Sequence, residues 1–327
     1  MPSIRPALLV LVLPLFLASC AMEGIYVRVM RPAPVHLGQY PLVAIDRFQG
    51  PGCDQVAVDF TAALRRTTNP MTGKQDFEVI DRGEVDRMLD DMRGRQGKDW
   101  DERTMEVLER WRSAKLVLRG EVTQNQASER MIETPFTDDG KTQRMRRTRQ
   151  VTAVVEVRIE ATDTEGDHLF DKAVMRGVAQ AQTVAIDGMP KRIDPTPLVE
   201  AARAKVVQQY LDRILPHEVT VRVNLYTDGD LPELQVGNGF AKTGNWDSAL
   251  RKYEEAVARA QGDLRYKALF NLGVALEHCN RFDEARQSLE EAYSLEQDST
   301  ILAELQSVSR REGEYQALME QAAQPAR

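Results

Sequence analysis

Cysteine and histidine are scarce in this chain. Its 327 residues include three cysteines (Cys20, Cys53, Cys279) and four histidines (His36, His168, His217, His278). The histidines lack the close spacing that would put two on one ion, so no metal site is expected. Cys53 and Cys279 lie far apart, and two separate thiols are expected in preference to a disulfide framework. Catalytic signatures are missing as well: there is no G-x-S-x-G, no H-E-x-x-H and no C-x-x-C. Gly140-Lys141-Thr142 ends like a phosphate loop, but Pro135 stands where its first glycine belongs. Neither an enzyme nor a cofactor is therefore expected. Excess positive charge is absent too, and a net charge of −7 argues against a nucleic acid partner. Beyond residue 20 no apolar run approaches the roughly 20 residues of a membrane-spanning helix.

What is present begins at the start of the chain. Arg5 precedes an apolar run from Ala7 to Leu17, followed by small residues and Cys20. A basic start, a short hydrophobic stretch and small residues before a cleavage point make a secretory signal. Leu17-Ala18-Ser19-Cys20 resembles the lipobox of bacterial lipoproteins, which implies cleavage after residue 19 and acyl chains on Cys20. Two or three chains, at about 0.8 kcal/mol per buried methylene, make such an anchor effectively permanent. Ala21 in the next position implies outer-membrane sorting in a Gram-negative cell, with the folded part facing the periplasm.

Residues 20–40, with Arg31-Pro32-Ala33-Pro34, read as a tether. A strand over 41–45 follows, then a helix with Val56, Phe60 and Leu64 on one face and Asp54 as its N-cap. The strand 77–80 leads into a helix from near Asp81, burying Val85, Met88, Leu89 and Met92. The next helix, about 101–113, carries Met105, Leu108 and Trp111, and the strand 116–122 comes after it. An alternating run over 151–161, a further strand or pair of strands over 169–184, a helix at 197–214 and a strand at 219–223 complete a mixed sheet with helices packed on it.

Phe77–Arg82, Ala114–Gly120 and Arg158–Gly166 resemble, in this order, the motifs of the CsgG-like bacterial envelope lipoproteins. The resemblance covers about residues 40–225 and implies envelope assembly or transport, not one particular activity. Pore-forming members use hairpins that span the membrane. Neither 141–150, with arginines at both parities, nor 173–184 has the alternation a lipid-facing strand needs.

After residue 230 the pattern turns wholly helical and repeats. Gly237, Phe240, Gly244, Trp246, Ala249, Tyr253 and Ala256 recur 36 positions later as Gly273, Leu276, Asn280, Phe282, Ala285, Leu289 and Ala292. This resembles the tetratricopeptide repeat, with Leu305, Gly313 and Tyr315 hinting at a decayed third copy that serves as a capping pair. The resemblance implies a concave, partner-binding face lined by Leu234, Asn238, Ala241, Lys242, Lys267, Phe270, Val274, Glu277 and His278. The stretch 124–150 is a long hairpin or excursion ending in Lys141, Arg144, Arg146, Arg147 and Arg149, able to meet anionic headgroups or an acidic partner.

The expected fold is thus α+β: signal 1–19, lipidated tether 20–40, a CsgG-like α/β sandwich-type domain over 41–227, and tetratricopeptide hairpins with capping helices over 231–320. The expected role is a non-catalytic scaffold or assembly factor at the outer membrane, held by lipid on Cys20. Its partners are proteins, a further copy of the chain among them. An oligomeric export pore and an activator of a peptidoglycan synthase or other envelope enzyme stand as alternatives. Cys20→Ser is expected to release the mature domains or leave the precursor uncut, as judged by acyl labelling and membrane fractionation. A variant still lipidated and membrane-bound would refute the anchor.

Overall fold

The computed structural model describes residues 21–323 apart from 39, 94–101, 139 and 166–167, so Cys20 lies outside the described residues. In chain order the elements are β1 (Ala21–Arg31), β2 (Leu42–Ile45), α1 (Cys53–Arg66), β3 (Glu78–Asp81), α2 (Arg82–Arg93), α3 (Glu102–Ser113), β4 (Leu116–Asp138), β5 (Thr142–Asp163), β6 (His168–Ile186), α4 (Thr196–Ile214) and β7 (His217–Thr227). The helices α5 (Pro232–Lys242), α6 (Trp246–Arg259), α7 (Arg265–His278), α8 (Phe282–Leu295) and α9 (Ser299–Ala323) follow. They form two compact units, one from residues 30–218 with 314–323 and the other from 21–29 with 219–313.

The first unit is a five-stranded open sheet in the order β3-β2-β4-β5-β6. β2 runs parallel to β3 and β4, while β4, β5 and β6 are antiparallel. Strict alternation in β5 builds the core: Val151, Ala153, Val155, Val157, Ile159 and Ala161 are all at most 3% exposed. Against this face pack α1 and α4 through Phe60, Val206 and Tyr210. The opposite face is covered over β2 and β3 by α2 and α3, where Ala44, Ile80, Val85 and Val107 meet. Asp81 caps α2 by accepting from the Glu84 amide at 2.8 Å. Phe77–Arg82 and Ala114–Gly120, which carried the family resemblance, fall on β3 into α2 and on β4.

The helix α4 closes onto β6 at Gly177, where a Cβ would lie 1.9 Å from the Ala202 carbonyl oxygen. Beside that contact the Gln209 amide stands in for a neighbouring strand. Its Oε1 accepts from the Arg176 backbone N–H at 3.1 Å, and its Nε2 donates to the Arg176 carbonyl at 3.0 Å. Lys205 donates to the Val178 carbonyl at 2.6 Å. This stretch of an otherwise open edge is thereby closed to strand addition.

Several expectations are corrected. Residues 21–31 are no tether but a strand paired with β7. Ile25, Val27 and Val29 alternate as buried positions there, and their apolar burial outweighs the freedom a linker would keep. β7 belongs with the repeat unit, so the boundary at residue 227 shifts to about 218. The α1 N-cap is Gly52, not Asp54, which lies in the first turn. Met105 on α3 is 42% exposed, because Thr104 and Val107 take the inward face. Two expectations hold: residues 168–186 form one strand, and Cys53 and Cys279 are free. Finally, α9 is a single helix of 25 residues where a capping pair was expected. The two complete hairpins turn on left-handed residues, Gly244 (φ 76°) and Asn280 (φ 59°), whereas Gln316 stands at the third equivalent position and carries the helix on.

Candidate functional site

The repeat unit is organised by small residues on the first helix of each pair. A Cβ on Gly237 would come within 2.3 Å of the Tyr253 ring, and one on Gly273 within 2.6 Å of Leu289 Cγ. This permits α5 to close on α6 and α7 on α8, burying Ala249, Tyr253, Ala285 and Leu289 completely. The inner faces of α5 and α7 then form a concave surface, the expected place for a partner.

In the structure that surface holds a segment of the chain itself, the end of β7. Asn271 Oδ1 accepts from the Tyr226 backbone N–H at 2.8 Å, and Asn271 Nδ2 donates to the Tyr226 carbonyl at 2.9 Å. Asn238 Nδ2 donates to the same carbonyl at 3.2 Å. Asn238 is itself fixed by the Tyr253 hydroxyl, which donates to Oδ1 at 2.8 Å. The Tyr226 ring makes edge contacts with Tyr266 and Phe270, at 5.5 and 5.1 Å between centroids. Its hydroxyl donates to Asp298 Oδ2 at 2.9 Å. Just past the end of the strand, Asp228 Oδ2 meets Lys267 Nζ at 2.8 Å. The Lys267 ammonium holds the Asp228 carboxyl below its ordinary range.

This arrangement corrects the reading of an open groove. Leu234, Asn238, Lys267, Phe270, Val274 and Glu277 are all buried, and so is Ala241. Leu234, Phe270 and Val274 pack, while Asn238 and Lys267 bind the chain's own backbone and carboxylate. His278 stacks on Trp246 with ring centroids 4.0 Å apart, and burial drives its pKa down to about 3, leaving it uncharged. Lys242 alone of the expected lining is exposed, and it pairs with Glu23 of β1 at 2.5 Å. Sequence reasoning did not find Tyr226, Asp228 or Asn271. The available signal was an asparagine on the apolar helix Arg265–His278, since a buried amide requires a partner.

A second polar cluster lies between α7 and α9. Glu277 is 3% exposed, with Ser307 Oγ at 3.4 Å and Arg311 Nε at 3.8 Å from its Oε1. Burial, followed by the Glu304 carboxyl, raises the Glu277 pKa. Burial likewise raises that of Glu304, with Arg310 opposing. Among the described residues no group of three or more metal-ligating side chains converges. No described helix is long and apolar enough to cross a membrane.

A tetratricopeptide repeat family model matches residues 235–300, from within α5 to the start of α9. No curated protein matches the chain. Among solved structures, the PelC dodecamer from Paraburkholderia phytofirmans is similar at 14% identity and a TM-score of 0.24, covering 58% of this chain and 98% of that one. A putative neuraminyllactose-binding hemagglutinin homolog from Helicobacter pylori is similar at 9% identity and a TM-score of 0.29, covering 56% and 87%. Lipoprotein GNA1162 from Neisseria meningitidis gives 11% identity and a TM-score of 0.25, over 52% and 98%. Scores this low leave fold and function to be argued from the chain's own residues.

Two outcomes are expected. Asn271→Ala removes two hydrogen bonds to the Tyr226 backbone, leaving Asn238 on the carbonyl, and should lower the stability of the repeat unit by about 1–3 kcal/mol in denaturant unfolding. An unchanged midpoint would show that the Tyr226 contact is dispensable. The raised Glu277 pKa means that the folded unit keeps a proton which the unfolded chain releases earlier. That contribution is complete below the ordinary carboxylate range and is lost as pH rises towards the raised value. Thermal stability should therefore fall between pH 5 and pH 8 in the parent and fall less in Glu277→Gln. An equal fall in both would clear Glu277 of the effect.

Proposed function

We propose that this chain is an outer-membrane lipoprotein, held through Cys20 and facing the periplasm. It acts there as a non-catalytic scaffold or assembly factor in envelope biogenesis or secretion. The observation that carries the reading is the pair of tetratricopeptide hairpins, since repeats of this class present helical surfaces to other proteins. The lipobox at residues 17–20 supports the location, and the lack of a catalytic constellation supports a binding role.

Because Tyr226 fills the concave face, the partner surface is assigned to the exposed side of α5. Val236 (49% exposed) and Phe240 (36%) are four residues apart on one helix face, with Glu233, which pairs with Arg259, one turn before Val236. Exposed apolar side chains with a charged rim are the usual makeup of a protein contact. Photo-crosslinkers placed at Val236 and Phe240 in cells should capture a discrete protein, while one at Lys267 should capture none. Strong capture from Lys267 would mean that the groove opens to partners, and background at all three positions would remove the repeat unit from the binding role.

A further inference from the structure

The outer part of the α/β unit has a face with no described function. Beyond the bulge between Val122 and Gln124, β4 and β5 pair without interruption to the tip at Asp138 and Thr142, and β6 accompanies them to Ile186. Directly opposed residues share a face, so the register fixes its composition. On one side lie Gln126, Ser128, Arg130, Ile132, Thr134 and Phe136 of β4. With them go Arg144, Arg146, Thr148, Gln150, Thr152 and Val154 of β5, and Val178, Gln180, Gln182, Val184 and Ile186 of β6. No carboxylate occurs among these positions, in a chain of net charge −7. Glu129 and Glu133 sit on the other side, where they pair with Arg149 and Arg147, while at the tip Asp138 continues the first side and is taken up by Arg144.

Among the described residues of this unit, no helix packs on this first side of the outer strands. α1 and α4 pack on the opposite face, and α2 and α3 cover this one only over β2, β3 and the start of β4. Val184 is 54% exposed and Ile186 47%. Arg146 lies 5.1 Å over the Phe136 ring. Arg130 and Arg146 form no ion pair among the described residues, whereas Arg144 is held by Asp138 and Asp187.

We propose that this stretch of the face, centred on Arg130, Arg146, Val184 and Ile186 with its one tip carboxylate neutralised by Arg144, docks on an anionic phospholipid surface. The strip is about 30 Å long and 10 Å wide from strand spacings, and a flat shape of that size matches a bilayer better than it matches a peptide. Guanidinium groups bind phosphates, and the interleaved Ile132, Phe136, Val184 and Ile186 bury apolar area at headgroup depth. The contact is separate from the lipid on Cys20 and does not depend on it.

The test uses the full chain with a tryptophan reporter, Val184→Trp, mixed with vesicles of phosphatidylglycerol and phosphatidylcholine in equal parts, or of phosphatidylcholine alone. The reporter emission should shift to the blue and be quenched by brominated acyl chains only with the anionic vesicles. Adding Arg130→Glu and Arg146→Glu should raise the lipid concentration for half-saturation roughly 30-fold, about fivefold for each cation. Salt at about 0.5 M should weaken the shift in the unsubstituted background, which serves as the check if the charge variant does not fold. Sedimentation of the whole chain reads the anchor separately, so loss of one attachment is distinguishable from loss of the other. The idea is overturned by equal shifts with both vesicle types, by indifference to charge and salt, or by a shift with soluble polyglutamate and none with vesicles, which would indicate an acidic protein instead.

Discussion

The grip of Asn238 and Asn271 on the backbone of Tyr226 is the interaction on which the repeat unit depends. Two hairpins of this class bury little on their concave side alone, and stacks of them ordinarily need a cap or a ligand. Here β7 supplies that surface, with one residue satisfying two amides, two aromatic edges and the carboxylate that starts α9. Asn271 is matched to both backbone groups of Tyr226, which is the way a side chain imitates a neighbouring strand. Amide hydrogen bonds of this kind are specific in direction, so they fix the register of the strand in the groove as well as its presence. The site that resemblance marks for an incoming peptide has become internal structure.

The charged groups around the groove follow from this. Lys267 is buried because Asp228 arrives with the strand, and His278 is uncharged because Trp246 and the packed helices exclude water from it. A lysine or histidine seen on a helical wheel looks like a solvated contact until the element that covers it is known.

The α/β unit and the helix pairs were legible because their signals are local. Val151 to Ala161 alternates without a break, and Gly237 and Gly273 recur at the repeat spacing. The misreadings have long-range causes. Ile25, Val27 and Val29 alternate in plain view, but the Pro-rich residues after them suggested a tether, and their partner strand lies far along the chain. Lys267 and Asn238 carry no mark that distinguishes a contact with another protein from one with β7. The length of α9 depended on one residue, Gln316, which lacks the left-handed preference of Gly244 and Asn280. The outer face of β4 to β6 became visible only with the register, because the bulge after Val122 changes which positions share a side.

The pairing of β1 with β7 makes the α/β unit an insertion within the repeat unit. Strand β1 has nothing to pair with until His217 and the residues after it are brought to it. Closing so long a loop carries an entropy cost that grows with the logarithm of its length. The cost falls once the inserted unit has folded and brought its two ends together. Pairing of β1 with β7 is therefore favoured by prior folding of the sheet that lies between them in the chain.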